Sequence, residues 1–224
     1  MTDSSTQRLI ETVVFDIGNV LLHWEPEPFY DRAIGIDRRR RLFAHVDLRG
    51  MNERLDRGAP FRATIRRMAD EHPEFEDEIR LWHDRWLEFC GPVHWHSVRL
   101  LRALRSSGMP VVALSNFGRE TLALAEHRWP FLTEFDARFI SGELGVIKPE
   151  PAIYKILEDN HAVPPNRLLF TDDREENIQA ARARGWQTHH FRSPEGLARC
   201  LVDRGLLTAS AAAAAAADPM PDPT

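Results

Sequence analysis

The sequence predicts an α/β fold, a mostly parallel sheet with helices on both faces, interrupted by a small all-helical insertion. Three observations carry that expectation. Apolar strand-like runs at residues 13–15, 111–114 and 168–171 each end in polar residues: Asp16, the pair Ser115 and Asn116, and the pair Asp172 and Asp173. From His94 onward helix-like and strand-like segments alternate, as in a parallel sheet. Between these parts, residues 24–91 show helical periodicity without a convincing strand.

Taken in order, the first strand is Val13, Val14 and Phe15, followed by Asp16, with Gly18 two residues on. In the insertion, Pro28 and Pro60 stand where a first helical turn tolerates proline. Phe61, Ile65, Met68 and Ala69 form one apolar stripe, and Ile79, Trp82, Trp86 and Phe89 form another. Val98, Leu101 and Leu104 share a helix face that closes at Gly108, a helix stop. The strand at 111–114 follows, then a helix near 119–128, a short strand at Phe139 and Ile140 and a helix over about 151–160. The strand at 168–171, a helix over about 175–184, a strand at 187–191 and a last helix through Pro194 to Arg204 complete the alternation. Residues 209–224 are alanine, proline and aspartate with almost nothing to bury, and read as a mobile tail.

At 224 residues the chain has room for one substantial domain with an insertion. Residues 1–23 and 92–205 are assigned to the core, 24–91 to the insertion and 206–224 to a disordered tail. With 43% hydrophobic and 28% charged residues the composition is that of an ordinary soluble protein. A net charge of -5 argues against a nucleic-acid backbone as partner, and nothing points to a membrane surface. Cys90 and Cys200 give neither a disulfide framework nor metal-ligand spacing, which fits a reducing cytoplasm. Residues 1–8 lack the basic-then-apolar pattern of a signal peptide, and the alanine run at 211–217 is too short to span a bilayer.

Side by side, the strands bring Asp16, Asp172 and Asp173 together, and three crowded carboxylates repel unless a cation neutralises them. Oxygen ligands without a nearby cysteine or organised histidine favour Mg²⁺. Magnesium held by a few carboxylates takes a phosphate oxygen as a further ligand, which points to phosphoryl transfer on a small phosphorylated substrate. That chemistry asks for a nucleophile, a cation on the transferring oxygens and neutral hydrogen-bond donors. Asp16 can attack and form an aspartyl phosphate. Lys148 lies on a loop stiffened by Pro149 and Pro151, and Ser115 and Asn116 offer a hydroxyl and an amide.

These four motifs, in this order, resemble the haloacid dehalogenase superfamily of hydrolases, in the branch whose helical cap is inserted just after the first strand of a Rossmann-like three-layer core. The resemblance covers roughly residues 9–205. It implies that Asp16 is the nucleophile and a metal ligand, and that the backbone carbonyl of Gly18 is a further ligand. It implies that Ser115 binds phosphate with Asn116 beside it, and that Lys148 steadies nucleophile and phosphoryl group. Asp173 then corresponds to the direct metal ligand, Asp172 to a supporting carboxylate, and Asn177 braces the metal site from behind.

The sequence departs from the family's phosphatases at Gly18, where they usually carry a second aspartate that protonates the leaving group. Such help is commonly worth about a hundred- to ten-thousand-fold in rate, so its absence favours substrates with good leaving groups, such as anomeric or acyl phosphates. Relatives with the same Asp-x-Gly-Asn pattern include sugar-phosphate phosphatases. The rivals are a dehalogenase, whose chemistry needs no metal, and a catalytically weak protein that binds phosphate esters.

Other features read as structural. Arg38 to Arg41 cannot share one helix face and form a solvated stretch, from which one arginine could reach an anionic substrate. His94 and His96 diverge on a helix, and Trp82, Trp86 and Phe89 read as insertion core. His23 and Trp24 stand where a cap hinge belongs and are candidates for the pocket wall.

Overall fold

The computed structural model describes residues 10–217. Five strands form one parallel sheet in the order β5-β4-β1-β6-β7: β1 (Thr12–Phe15), β4 (Val111–Ser115), β5 (Ala137–Ile140), β6 (Leu168–Asp172) and β7 (Gln187–His190). The central strand β1 pairs with β4 and with β6, Val14 standing opposite Val112 on one side and Phe170 on the other. Because side chains alternate across a strand, Val13 and Phe15 enter the apolar layer on one face, and Val14 enters the other. The first layer is completed by α6 (Trp95–Ser106), α7 (Arg119–Arg128) and α11 (Pro194–Asp203), the second by α9 (Pro151–His161) and α10 (Glu175–Ala183).

The chain leaves β1 on one side through β4 and β5, then crosses back to β6 and β7 on the other. The carboxyl ends of β1 and β6 therefore flank the point where strand order reverses, the place where open α/β sheets bind ligands. Asp16 follows β1, and Asp172 and Asp173 close β6.

Residues 26–84 supply α1 (Pro26–Ile34), α2 (Ile36–His45), α3 (Leu48–Asp56), α4 (Phe61–Glu71) and α5 (Glu76–Asp84). Trp24 anchors an aromatic cluster with Trp82, Trp86 and Phe89, ring centroids 5.5–6.0 Å apart. The insertion is bounded by a two-stranded antiparallel ribbon that periodicity did not anticipate, β2 (Leu22–Trp24) and β3 (Cys90–Val93). Its strands hold three and four residues, one pair of them Gly91 and Pro92, too few to display a period of two.

α3 is pinned to the core just beyond its end. Gly58, with φ +90°, brings its α-carbon against the carbonyl of Gly142 in α8 (Ser141–Leu144), where a β-carbon would meet that oxygen at 2.5 Å. Arg57 pairs with Glu150, and the Phe61 amide donates to Glu120 at 2.7 Å.

The alanine run expected as a mobile tail is instead α12 (Ala209–Ala217), capped by the Thr208 hydroxyl and packed on α6 with Ala212 and Ala215 buried. Alanine has the best helix propensity, and its small side chain permits close helix contact. Leu206 and Leu207 are buried as well, so residues 206–217 belong to the packed body, and the remaining tail residues 218–224 lie outside the described residues. The expectation about residues 1–8 also lies outside them.

Candidate active site

Asp16 continues the sheet ladder, its amide donating to the Thr171 carbonyl at 2.9 Å. Its carboxylate is held entirely through Oδ1, which accepts from the Ile17 amide at 2.7 Å and the Ser115 hydroxyl at 2.7 Å and faces Lys148 Nζ at 2.8 Å. Oδ2 has no protein partner among the described residues. Lys148 also donates to Asp172 Oδ2 at 2.7 Å, and it is 2% exposed.

The ammonium is placed by Asn116, whose side chain accepts from the Lys148 amide at 2.7 Å and donates to its carbonyl at 2.9 Å. That amide, expected beside a phosphate, is thus engaged in both directions with the lysine's backbone. Asp172 is fully buried and accepts from Lys148, from the Arg174 amide at 2.8 Å and from Asn177 Nδ2 at 3.0 Å on each oxygen. Asn177 is fixed in turn by the Tyr154 hydroxyl, which donates to its carbonyl at 3.1 Å.

Asp173 Oδ2 accepts from Asn19 Nδ2 at 3.0 Å. Asn19 sits in the left-handed region at φ 54°, a conformation asparagine tolerates better than most residues. Its Oδ1 accepts from the Trp24 amide at 3.0 Å, so one side chain ties the turn after β1 to β2 and to the acidic pair.

Oxygens of Asp16, Asp172 and Asp173 lie within 4.8 Å of one another, the only such group of potential metal ligands among the described residues. Three carboxylates face one ammonium. Burial pushes the Asp16 carboxyl up to about 7 against the pull of Lys148, with Asp172 and Asp173 adding to the rise. Asp173 is raised for the same leading reason, though Asn19 opposes it. Burial works against the Lys148 ammonium, but Asp16 and Asp172 outweigh it and raise the lysine above its usual range. A cation among these oxygens would favour their ionised forms, and an all-oxygen donor set suits a hard divalent ion.

A cavity of about 220 Å³ opens over these groups. It is lined by Asp16, Gly18, Ser115 and Lys148 from the core and by Asn52, Asp56 and Trp86 from the insertion. Nothing lies within 4 Å of a β-carbon built on Gly18, so that position opens onto free space. His23 and Trp24 do line the cavity. His23 stacks on His94, ring centroids 4.0 Å apart, and burial together with His23 takes His94 down to about 4.

The Arg38–Arg41 run does not reach the cavity. Arg38 and Arg41 pair with Glu74, Arg38 also with Glu78, Arg39 with Asp31 and Arg40 with Asp37. Asn19, Asn52, Asp56 and Arg174 line the cavity without having been singled out by their spacing. Asn52 and Asp56, four apart on one amphipathic helix, carry a signal in retrospect: a polar pair on one face of a helix whose other positions Leu48, Met51 and Leu55 are buried.

Residues 10–185 match the family model of haloacid dehalogenase-like hydrolases. Drimenol cyclase drtB of Aspergillus calidoustus is 21% identical over 207 residues, 87% of this chain and 36% of that enzyme. The chain therefore spans little more than a third of that relative's length. D-ribitol-5-phosphate phosphatase of Bacteroides thetaiotaomicron is 25% identical over 194 residues, 80% of this chain and 91% of that one. A HAD family enzyme of the same bacterium, crystallised with magnesium and inorganic phosphate, superimposes with a TM-score of 0.61 at 22% identity, covering 82% of this chain and 95% of that one.

Proposed function

The chain belongs to the haloacid dehalogenase-like hydrolases, and on that premise we propose that it is a Mg²⁺-dependent phosphatase acting on a small phosphorylated metabolite, a sugar or sugar-alcohol phosphate, through an aspartyl phosphate on Asp16. The observation that carries this reading is the asymmetric hold on Asp16: Lys148, Ser115 and the Ile17 amide all take Oδ1, which leaves Oδ2 to attack phosphorus. Asp172 locks the ammonium in place, so its charge is available both to the nucleophile and to a phosphoryl oxygen.

Asp16, Asp173 and the Gly18 carbonyl would hold the magnesium ion, with Asp172 and Asn177 behind them. When bound, the ion neutralises charge on the transferring oxygens. The Ser115 hydroxyl, 1% exposed at the carboxyl end of β4, can turn from Asp16 to a phosphate oxygen. Residues 24–91 are read as a cap that closes the cavity and excludes water during transfer. The similarity to D-ribitol-5-phosphate phosphatase over most of both chains supports a sugar-alcohol phosphate class, and a cytoplasmic location suits a metabolite substrate. Among the described residues no helix is long and apolar enough to cross a membrane.

Displacement of halide from carbon needs no metal, so the acidic pair Asp172 and Asp173 argues against that rival reading. The deciding experiment is a panel of metabolite phosphates assayed with Mg²⁺, with chelator, and with Asp16→Asn. Phosphate release that requires both the metal and Asp16 is expected. Chelator-insensitive halide release from 2-haloacids would establish the dehalogenase instead, and tight binding of esters without release would establish a binding protein.

A further inference from the structure

We propose that Asp56, at the end of α3 in the helical insertion, donates the proton to the leaving group, the task for which Gly18 offers no side chain. The proposal rests on the phosphatase reading above and adds a catalytic residue to it.

Asp56 lines the same cavity as Asp16, Gly18 and Lys148, reaching it from the helical insertion. Its Oδ2 accepts from Asn52 Nδ2 at 2.9 Å, while Oδ1 accepts no hydrogen bond among the described residues. One oxygen is therefore oriented and the other is available to carry a proton toward substrate. The empty space at Gly18 means that no side chain of the turn after β1 takes the acid's role there.

Position is fixed as well as chemistry. Immediately after Asp56 the chain is fastened to the core by the Gly58 contact with Gly142, by Arg57 with Glu150 and by the Phe61 amide on Glu120. An acid on a freely swinging element would be poorly placed for transfer.

The surroundings bring the group's titration close to neutrality. Burial comes first; Asp16 in the same cavity and Glu53 on the same helix add to it, Lys148 and Arg174 oppose it, and the carboxyl is pushed up to about 7. An ordinary aspartate, ionised by pH 5, could not serve as an acid there. Of the other cavity-lining groups outside the acidic cluster, His23 lies 3.7 Å from Glu25 and packs against His94, and burial raises the Cys90 thiol far above its usual range.

The step balances without a further reactant. Asp16 Oδ2 forms a bond to phosphorus as the ester P–O bond breaks, and the departing oxygen takes the Asp56 proton, leaving Asp56 a carboxylate. A water molecule then attacks the aspartyl phosphate, giving its proton to Asp56 and its hydroxyl to phosphorus. Phosphate departs, and Asp16 returns as carboxylate with Asp56 protonated.

The test uses aryl phosphates from p-nitrophenyl to phenyl phosphate, together with glycerol 2-phosphate, on the full chain with Mg²⁺. Asp56→Asn keeps the shape and can still accept from Asn52. It should lower kcat/KM on phenyl phosphate and glycerol 2-phosphate by about a hundredfold or more, yet change p-nitrophenyl phosphate by less than about fivefold. Adding Gly18→Asp to Asp56→Asn should restore at least about tenfold on the poor leaving groups.

An equal loss on every substrate would make Asp56 a merely structural residue and overturn the proposal, as would no loss at all, or a leaving-group-dependent loss in His23→Gln but not in Asp56→Asn. Should Asp56→Asn fail to fold by circular dichroism, Asp56→Ser carries the same comparison. A wild-type protein that hydrolyses none of these esters would defeat the phosphatase reading itself, a result distinct from a flat leaving-group dependence in Asp56→Asn.

Discussion

Lys148 and Asp16 form an ion pair of 2.8 Å in which the lysine is 2% and the aspartate 6% exposed. So buried a pair is maintained only because each partner satisfies the other, and Asp172 shares the same ammonium.

Replacing Lys148 with Met should therefore abolish turnover and also destabilise the fold, since removing one partner strands buried charge, at a cost of about 3–5 kcal/mol. Urea denaturation at pH 8 with chelator present should show the loss. It should shrink toward pH 5, as the Asp16 carboxyl, already raised by burial, takes up a proton. A variant as stable as wild type at pH 8 would mean that the pair is solvated.

Asn19 contributes in two separable ways, through its side chain, which holds Asp173 and accepts from the Trp24 amide, and through its left-handed backbone. Asn19→Ala should lose both, and Asn19→Gly only the first, because glycine adopts φ > 0 without a steric cost. Both variants are expected to weaken Mg²⁺ binding about 10- to 100-fold by calorimetric titration. Asn19→Gly should remain the more stable of the two by about 1 kcal/mol. Equal metal affinity in all three proteins would show that orientation of Asp173 does not depend on Asn19.

Gly142 is the core side of the contact that fixes α3. A β-carbon there would stand 2.6 Å from the Phe117 carbonyl oxygen and 2.6 Å from the Arg119 amide nitrogen, both backbone atoms that cannot rotate away. Gly142→Ala should cost about 1–3 kcal/mol, in the range of other overpacking changes, visible as a lowered Tm. Because α3 carries Asn52 and Asp56, KM should rise as well. A normal Tm with normal kinetics would show that the two segments separate freely.

Asp16, Ser115 and the Asp172–Asp173 pair could be read from the sequence because each follows an apolar run, a local signal that the parallel sheet then brings together, whereas Lys148 stands out from an ordinary loop cation only through the family pattern. The sheet itself was legible for the same reason: buried strands are short apolar runs between turn signals. The insertion's share of the cavity lining was not. Asn52 and Asp56 meet Asp16 only through the tertiary placement of α3, which depends on Gly58 and Gly142, residues 84 positions apart by their numbers with no pattern linking them. The α12 helix was hidden differently: its composition resembles a disordered tail, and only the apolar surface of α6 gives the alanines something to cover.

The raised Asp56 carboxyl has a consequence for stability that needs no substrate. Its folded-state value of about 7 stands above the ordinary 3.8, burial being the largest cause. A carboxyl raised on folding favours the native state at low pH, and that contribution is lost as pH climbs from about 4 through 7, where the folded protein must ionise a buried group that the unfolded chain ionises freely. Asparagine cannot ionise, so Asp56→Asn should gain stability relative to wild type across that window, by up to about 4 kcal/mol above pH 8, with the gain vanishing near pH 4. Paired urea titrations of both proteins at pH 4 and pH 8.5, with chelator throughout, measure the difference directly. Parallel pH dependences would mean that Asp56 is ionised and solvated in the folded protein at neutral pH, and such a group could not deliver a proton to a leaving alkoxide.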